Sequence, residues 1–494
     1  MSQPFPKADT RQALSESLPE NDQASSSPSA GVAFTYVPPS HARALDPENT
    51  LVEGIRGAGK SFWWAALNSE PHRRFVSSVF PETRLGSNVE VSQGFGPQLP
   101  TKLTPSKDTL VQLAESFEPR HIWRAVVAVH ARFPAPFPGE AKWREKVQWV
   151  RENPEDYDGL FYAADEALAS SGKVRLILFD ALDRLADDWP HIRPLARALL
   201  QVALDLRACR GIRAKLFVRP DMLEDREICA FPDASKLLGR KVALTWQRVD
   251  LYTLLFQCLG NAPKSGSVFR GHCDKVFHLK WEQEKESKAW VVPRTLRTDE
   301  DKQKEMFHAI AGPTMASGPS GHKRGFPYTW LPNHLLDGRD QVSPRSFCAA
   351  LRHAANSETP EEWSYPLHYK AIQAGVQAAS RIRVDEITVE DYPWVGILMA
   401  PLRGQVTVPC SAEEILTLWE KKETLSTLRD VLAEQGDQKV KLPPQHMNEG
   451  PEGILQDLAE LGLIQRLLDK RIQMPDVYRI AFGLGRRGGV KPLK

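Results

Sequence analysis

Thr50-Leu-Val-Glu-Gly-Ile-Arg-Gly-Ala-Gly-Lys-Ser-Phe-Trp-Trp-Ala-Ala-Leu67 decides how the rest of this 494-residue chain is read. Thr50 to Glu53 has the make-up of a short buried strand. Gly54 to Ser61 fits G-x-x-x-x-G-K-[ST], and Phe62 to Leu67 is apolar enough to begin a packed helix. Strand, glycine loop and helix in that order form a cradle for phosphate. Backbone N–H groups along Gly54, Gly57, Ala58 and Gly59 can turn inward, joined by those of Lys60, Ser61 and Phe62 in the first helical turn. The Lys60 ammonium is placed to reach the β- and γ-phosphates, and the Ser61 hydroxyl to ligate Mg²⁺.

Working outward, the next informative run is Val174-Arg-Leu-Ile-Leu-Phe179, short and almost continuously apolar, as a central parallel strand covered on both faces must be. It ends in Asp180-Ala-Leu-Asp183-Arg184. Asp180 at such a strand tip suits a Mg²⁺ ligand, and Asp183 suits a carboxylate that orients or deprotonates a water. Both could instead cap the following helix. Another short strand, Arg213 to Val218, leads into Arg219-Pro220. Arg219 is a candidate sensor of the γ-phosphate, or equally a partner for Asp221 or Glu224. A fifth strand is expected at Lys241 to Trp246. Strands alternating with helices imply an α/β fold with a parallel sheet, helices on both faces, and its ligand beyond the strands' carboxyl ends.

Composition sets the outer limits. The chain is too long for one core, and its 41% hydrophobic and 26% charged residues are ordinary for a globular protein. A net charge of +2 gives no global attraction to nucleic acid or membranes. The six cysteines are scattered, with no Cys-x-x-Cys pair, which suits a reducing compartment. His272, Cys273 and His278 lack a fourth ligand at useful spacing for a metal. No apolar run is long enough for a membrane helix and no signal peptide is recognisable, so the expected location is cytoplasmic.

Residues 1–45, rich in Ser, Pro, Ala and Gln, are expected to form a disordered tail. The core is expected over 46–262, with a second strand at Arg74 to Phe80 and loops over 81–108. Residues 263–360 read as an insertion and helical lid, with a solvated helix near Trp281 to Glu286. In that region Ser343 can cap a helix whose first residue is Pro344. Arg345 then stands in a first turn, where the macrodipole disfavours positive charge, which suggests an anionic partner. A helical domain should follow over 361–440. Over 441–494 an apolar helix at Ile454 to Leu461 precedes a β-hairpin, the outline of a winged helix. Its tail carries Arg479, Arg486, Arg487, Lys491 and Lys494 with no acidic residue from Val477 onward. That is a basic wing fit for a phosphate backbone, or simply a solvated tail.

Four stretches together resemble the signal-transducing (STAND) branch of the AAA+-related P-loop ATPases: Gly54–Ser61 as Walker A, Leu176–Arg184 as an Asp-x-Leu-Asp form of Walker B, Leu216–Pro220 as sensor 1, and Ser343–Phe347 as sensor 2. The ending Pro475–Val490 is similar to that of poorly characterised bacterial ATPases, some of them in phage-defence loci. The resemblance implies ATP and Mg²⁺ as cofactors, slow or switch-like hydrolysis, oligomerisation, and Arg345 meeting the γ-phosphate. It further implies a protein effector acting in trans, or alternatively a DNA-bound loader or regulator using the basic wing. Ala181 replaces the acidic residue that usually follows the Walker B aspartate, which weakens the case for fast hydrolysis. Arg184, Arg240 and Arg248 are the candidates for an arginine supplied in trans.

Overall fold

The structure, a computed structural model, describes residues 3–19, 31–97, 101–132, 137, 141–318, 320–433 and 442–493. Two compact units emerge, one of Gln23–Val32 and Val37–Thr245, the other of Met1–Asp22, Ala33–Tyr36 and Trp246–Lys494. Composition places the change near residue 262, but the chain divides at Thr245. No helix among the described residues is long and apolar enough to cross a membrane.

The first unit is built on a five-stranded parallel sheet in the order β2-β3-β4-β1-β5. Its strands are β1 (Leu51–Glu53), β2 (Val89–Phe95), β3 (Val174–Phe179), β4 (Ile212–Val218) and β5 (Val242–Ala243). Leu176 to Phe179 of β3 and Leu216 to Val218 of β4 are all buried, so both faces of the sheet's centre are covered by packed side chains. The exception is Lys215, a fully buried cation on β4. Its Nζ donates to the carbonyls of Ala44, Asp46 and Asn49 at 2.6, 2.9 and 2.6 Å, tying the segment before β1 to the sheet.

The helix Lys60–Asn68 follows the glycine loop and is pinned by its two tryptophans. Trp63 Nε1 donates to His41 Nδ1 at 3.0 Å, and Trp64 Nε1 to the Phe95 carbonyl at 3.0 Å. Burial drives the His41 pKa down to about 3, so the ring is neutral and able to accept. The loop therefore leads into an element whose rotation is fixed.

Two expectations for this unit are corrected. Arg74 to Phe80 is not a strand: Glu70–Val79 is a helix, with Pro71 in its first turn and Phe75 and Val76 buried on one face. The second strand lies instead at Val89–Phe95, within the stretch expected to be loop. It is an edge strand with half-exposed polar residues, hence without the apolar run that marks β3.

The second unit is mostly helical. Its first element, the helix Lys7–Ser17, overturns the expectation of a disordered tail over 1–45. Phe5, Ala13 and Leu14 are buried, and the Phe5 ring stacks on Phe269 at 4.9 Å. In the first unit Pro39–Leu45 is likewise helical; residues 20–30 lie outside the described set. Near Trp281 the expected helix is a hairpin, Glu282–Gln283 against Trp290–Val291. Within the stretch expected as a helical domain, Ala412–Lys421 and Thr424–Ala433 are separate helices. Toward the end, the helix Gly450–Glu460 precedes a hairpin of Gln465–Arg466 and Ile472–Gln473, as expected. Asp476–Phe482, at the start of the basic tail, is a further helix.

Candidate functional site

The glycine loop leaves β1 at Gly54, whose N–H donates to the Val218 carbonyl at 3.0 Å. That N–H belongs to the sheet, so Gly54 does not offer it to a ligand as the sequence suggested. Its lack of a side chain serves close approach instead. A Cβ there would lie 3.3 Å from Lys60 Cγ and 3.4 Å from both Ala58 Cβ and Leu244 Cβ. Gly57 and Gly59 have φ of 77° and 107°, backbone that only glycine adopts easily. Gly59 is the N-cap of Lys60–Asn68 and offers no side chain, so the first-turn N–H groups of Lys60, Ser61 and Phe62 open onto the loop without a side-chain cap. Space above Gly59 is open, its hypothetical Cβ meeting nothing nearer than Trp63 at 3.9 Å.

The Lys60 ammonium folds back onto the loop, donating to the Gly54 and Ile55 carbonyls at 2.7 and 3.0 Å. Burial lowers its pKa to about 8 against the opposing pull of Asp180. Just past the end of β3, Asp180 is 1% exposed. Its N–H pairs with the Phe95 carbonyl, and the Ser61 hydroxyl is close enough to its carboxyl to favour the ionised form. Its Oδ2 is buried and has no hydrogen-bond partner among the described residues. Burial raises the pKa of Asp180, only partly offset by Ser61 and Lys60. An orphaned carboxylate oxygen beside a hydroxyl, with a lysine near, is a donor set that fits a hard divalent cation between strand and loop. The next residue, Ala181, sits at φ 56°, left-handed backbone that costs a non-glycine residue roughly 1–2 kcal/mol. Strain of this kind gathers where a site dictates the chain's course.

Neither aspartate is a helix cap. The short 3₁₀ turn Leu182–Arg184 has Ala181 before it and no side-chain cap, while the helix Trp189–Asp205 is capped by Asp188, which accepts from His191 N–H at 3.0 Å. Asp183 faces Arg219 across the tips of β3 and β4, with Nη1 3.3 Å from Oδ2. Burial alone would raise the Asp183 pKa, but Arg219, Lys60 and Arg184 hold it below the ordinary carboxylate range. Arg219 also donates through Nε to Asp221 Oδ1 at 3.0 Å, the pairing the sequence offered as its alternative to a sensor role. Lys60, Ser61, Asp180, Asp183 and Arg219, spread over 160 positions of sequence, converge on one end of the sheet.

Arg345 belongs to the second unit. Ser343 caps its helix, accepting from Ser346 N–H, and Pro344 opens it, as the sequence indicated. The anionic partner inferred from the dipole argument is present within the fold: Glu386 Oε1 lies 2.6 Å from Arg345 Nη1 and also pairs with Arg383. Nothing in the sequence near Arg345 signals Glu386. The basic wing is smaller than the residue count suggests. Arg479 is fully buried, bonded to Asp476 at 2.7 Å and to the carbonyls of Leu484 and Val490. Arg486 also reaches Asp476, at 3.2 Å. The exposed cations left among the described residues are Arg487 and Lys491, with Arg486 in part.

No family model matches the chain, and no curated protein matches it. Among solved structures, the Aeropyrum pernix Orc1 protein in complex with DNA aligns at 14% identity over 94% of this chain and 93% of that one, with a TM-score of 0.37. The A. pernix ORC2 protein in its ADPNP–ADP complexes aligns at 13% identity over 90% and 93%, with a TM-score of 0.38. A Walker-type ATPase of Pyrococcus abyssi aligns at 12% over 90% and 97%, with a TM-score of 0.36. At these values the functional reading rests on the site itself.

Proposed function

We propose that this chain is an ATP-dependent switch that binds Mg-ATP at the loop after β1 and hydrolyses it slowly. The observation that carries the reading is the meeting of Lys60 and Ser61 from the loop with Asp180 at the tip of a distant strand, beside a buried carboxylate oxygen that has no hydrogen-bond partner among the described residues. Lys60 would leave the Gly54 and Ile55 carbonyls to hold the β- and γ-phosphates, with the N–H groups of Gly57 to Phe62 around them. Ser61 and Asp180 would hold Mg²⁺, which supplies charge neutralisation of the phosphates. Asp183 would orient water, and Arg219 would exchange a carboxylate for a phosphate oxygen. Arg345, freed from Glu386, is assigned to sensing the γ-phosphate. The resemblance of the motifs to signal-transducing ATPases supports control of a protein partner in trans, phage defence being one such setting. A DNA-loading role has less behind it, because Asp476 neutralises part of the basic tail.

Isothermal titration of ATP with Mg²⁺ tests the assignment. Lys60→Ala should weaken binding at least tenfold, about 1.4 kcal/mol, and chelating Mg²⁺ should weaken the wild type similarly. Binding that ignores both changes overturns it.

A further inference from the structure

From Met306 to Leu336 the chain contains no aspartate or glutamate, and within that stretch it sets His322, Lys323 and Arg324 close before Phe326. The fold gathers these residues on one surface of the second unit. After the helix Glu300–Ala311 the chain forms a closed loop, where the Met315 N–H donates to the Gly325 carbonyl at 2.9 Å and the buried Met315 side chain is the anchor. A short 3₁₀ turn in that loop, Gly321–Arg324, holds His322, Lys323 and Arg324 out in solvent.

Phe326 lies at the foot of the loop and is 42% exposed. Lys304 Nζ is 5.5 Å from its ring centroid, and the His308 ring runs nearly parallel to it at 6.3 Å. Lys304 and His308 are four positions apart on one helix face, so they back the ring from one side. Against Gly325 lies the half-buried Trp330 indole, stacked on His334 at 3.9 Å. Lys304, Lys323 and Arg324 form no ion pair among the described residues. Burial and Lys304 lower the His308 pKa to about 4, and no carboxylate opposes them. The acidic residues of the neighbouring helix are otherwise engaged: Glu305 pairs with Lys302 at 2.8 Å, and Glu300 and Asp301 stand in its first turn, where they suit the dipole.

Exposed lysines and arginines alone read as a solvated surface. Here they surround an open aromatic ring, and the combination matches a ligand that carries planar rings between regularly spaced anions. We propose that this surface binds single-stranded nucleic acid, a base stacking on Phe326 while Lys304, Lys323 and Arg324 contact phosphates. A duplex keeps its base faces covered and offers the ring nothing. The contact uses no residue assigned to the nucleotide site and none of the C-terminal tail, so it stands or falls separately from both.

Fluorescence anisotropy on the full chain provides the test, with labelled oligo-dT, oligo-U, an abasic strand of equal length and a duplex as probes. The single strands should bind at least about fivefold more tightly than the abasic strand or the duplex. Lys323→Ala combined with Arg324→Ala should weaken oligo-dT at least about tenfold and flatten the log–log salt dependence by roughly 1.4, two phosphate contacts at about 0.7 each. Phe326→Leu should cost at least about fivefold with the salt slope unchanged, and Phe326→Tyr should restore binding. Should Phe326→Leu lose the fold, the contrast between oligo-dT and the abasic strand decides the stacking on the unaltered protein. The ratio of oligo-dT to oligo-U affinity tells DNA from RNA. Equal affinity for the abasic strand or the duplex, or oligo-dT binding that survives the double substitution, overturns the proposal. Absence of oligo-dT binding overturns it too, and pelleting with phosphatidylserine vesicles would then assign the surface to lipid.

Discussion

Replacing Asp180 by asparagine separates what this carboxylate costs the fold from what it gives the ligand. The side chain is 1% exposed and burial holds its pKa above the usual carboxylate range. A folded-state value above the unfolded one means that the ionised group subtracts from stability at neutral pH, and that the loss disappears as pH falls below the unfolded value. The amide has the same shape without the charge. The ligand-free variant should therefore melt at or above the wild-type temperature. The ligand reverses the order. At 100 times its dissociation constant a bound nucleotide adds about 2.7 kcal/mol, which for a unit of 150–250 residues raises the melting temperature by roughly 5–11 °C. If loss of the metal ligand weakens Mg-ATP about a hundredfold, the same concentration equals the new dissociation constant and adds only about 0.4 kcal/mol, a rise of roughly 1–2 °C. Differential scanning fluorimetry with and without Mg-ATP reads both numbers. A ligand-free variant that melts several degrees low would show that Asp180 is structural, and an undiminished Mg-ATP shift would show that the metal is held elsewhere.

Three further outcomes follow from buried charge outside the site. Lys215→Met strands three carbonyls that now share one ammonium; urea unfolding should show a loss on the order of 3 kcal/mol, and an unchanged midpoint refutes the pinning role. Arg479→Met leaves Asp476 buried with the half-exposed Arg486 at 3.2 Å and the His334 ring at 3.7 Å beside it, so thermal unfolding should show a loss of about 3 kcal/mol, against nearly none if that arginine were part of a solvated wing. His446 has its pKa raised: burial pushes it down, but the 2.8 Å bond to Asp457 and the nearby Glu460 outweigh that. Its contribution is complete below the unfolded value near 6.5 and is lost as pH rises through the folded one. The stability gap between wild type and His446→Gln should accordingly shrink on going from about pH 5.5 to about pH 8.5, and a gap independent of pH would contradict the pairing.

The parts of this molecule legible in sequence are those whose physics is local. Gly57 and Gly59 are needed for positive φ at their own positions, and β3 must be apolar because it is covered on both faces. What escaped depends on distant neighbours or on a misjudged period. Phe75, Val76 and Val79 are spaced for one face of a helix, yet a short mixed run of this kind also passes for a strand. At the sheet's edge, Val89–Phe95 keeps polar residues half exposed and so loses the signature of its neighbours. The tail's charge was misjudged because Asp476 lies one residue before the basic run. Glu386 stands 41 positions from Arg345 and is joined to it only by the fold.

If the site takes Mg-ATP as proposed, the contacts around the strand tips suit a switch better than a fast enzyme. A general base works best with a pKa near the operating pH, whereas Asp183 is held below the usual carboxylate range by Arg219, Lys60 and Arg184 against the effect of burial. Such a carboxylate orients water well and removes its proton poorly, and Ala181 supplies no second acid beside it. Meanwhile the cations a triphosphate needs are engaged within the protein, Lys60 on loop carbonyls and Arg219 on Asp183 and Asp221. Each of those contacts must be exchanged for one to phosphate. A bound γ-phosphate would then move the equilibrium only by the difference between the two sets, and that difference would couple its presence to the positions of β3, β4 and the loop. Release of Arg219 upon that exchange would also lift the Asp183 pKa, so the water-orienting group becomes a better base only after the phosphate has arrived.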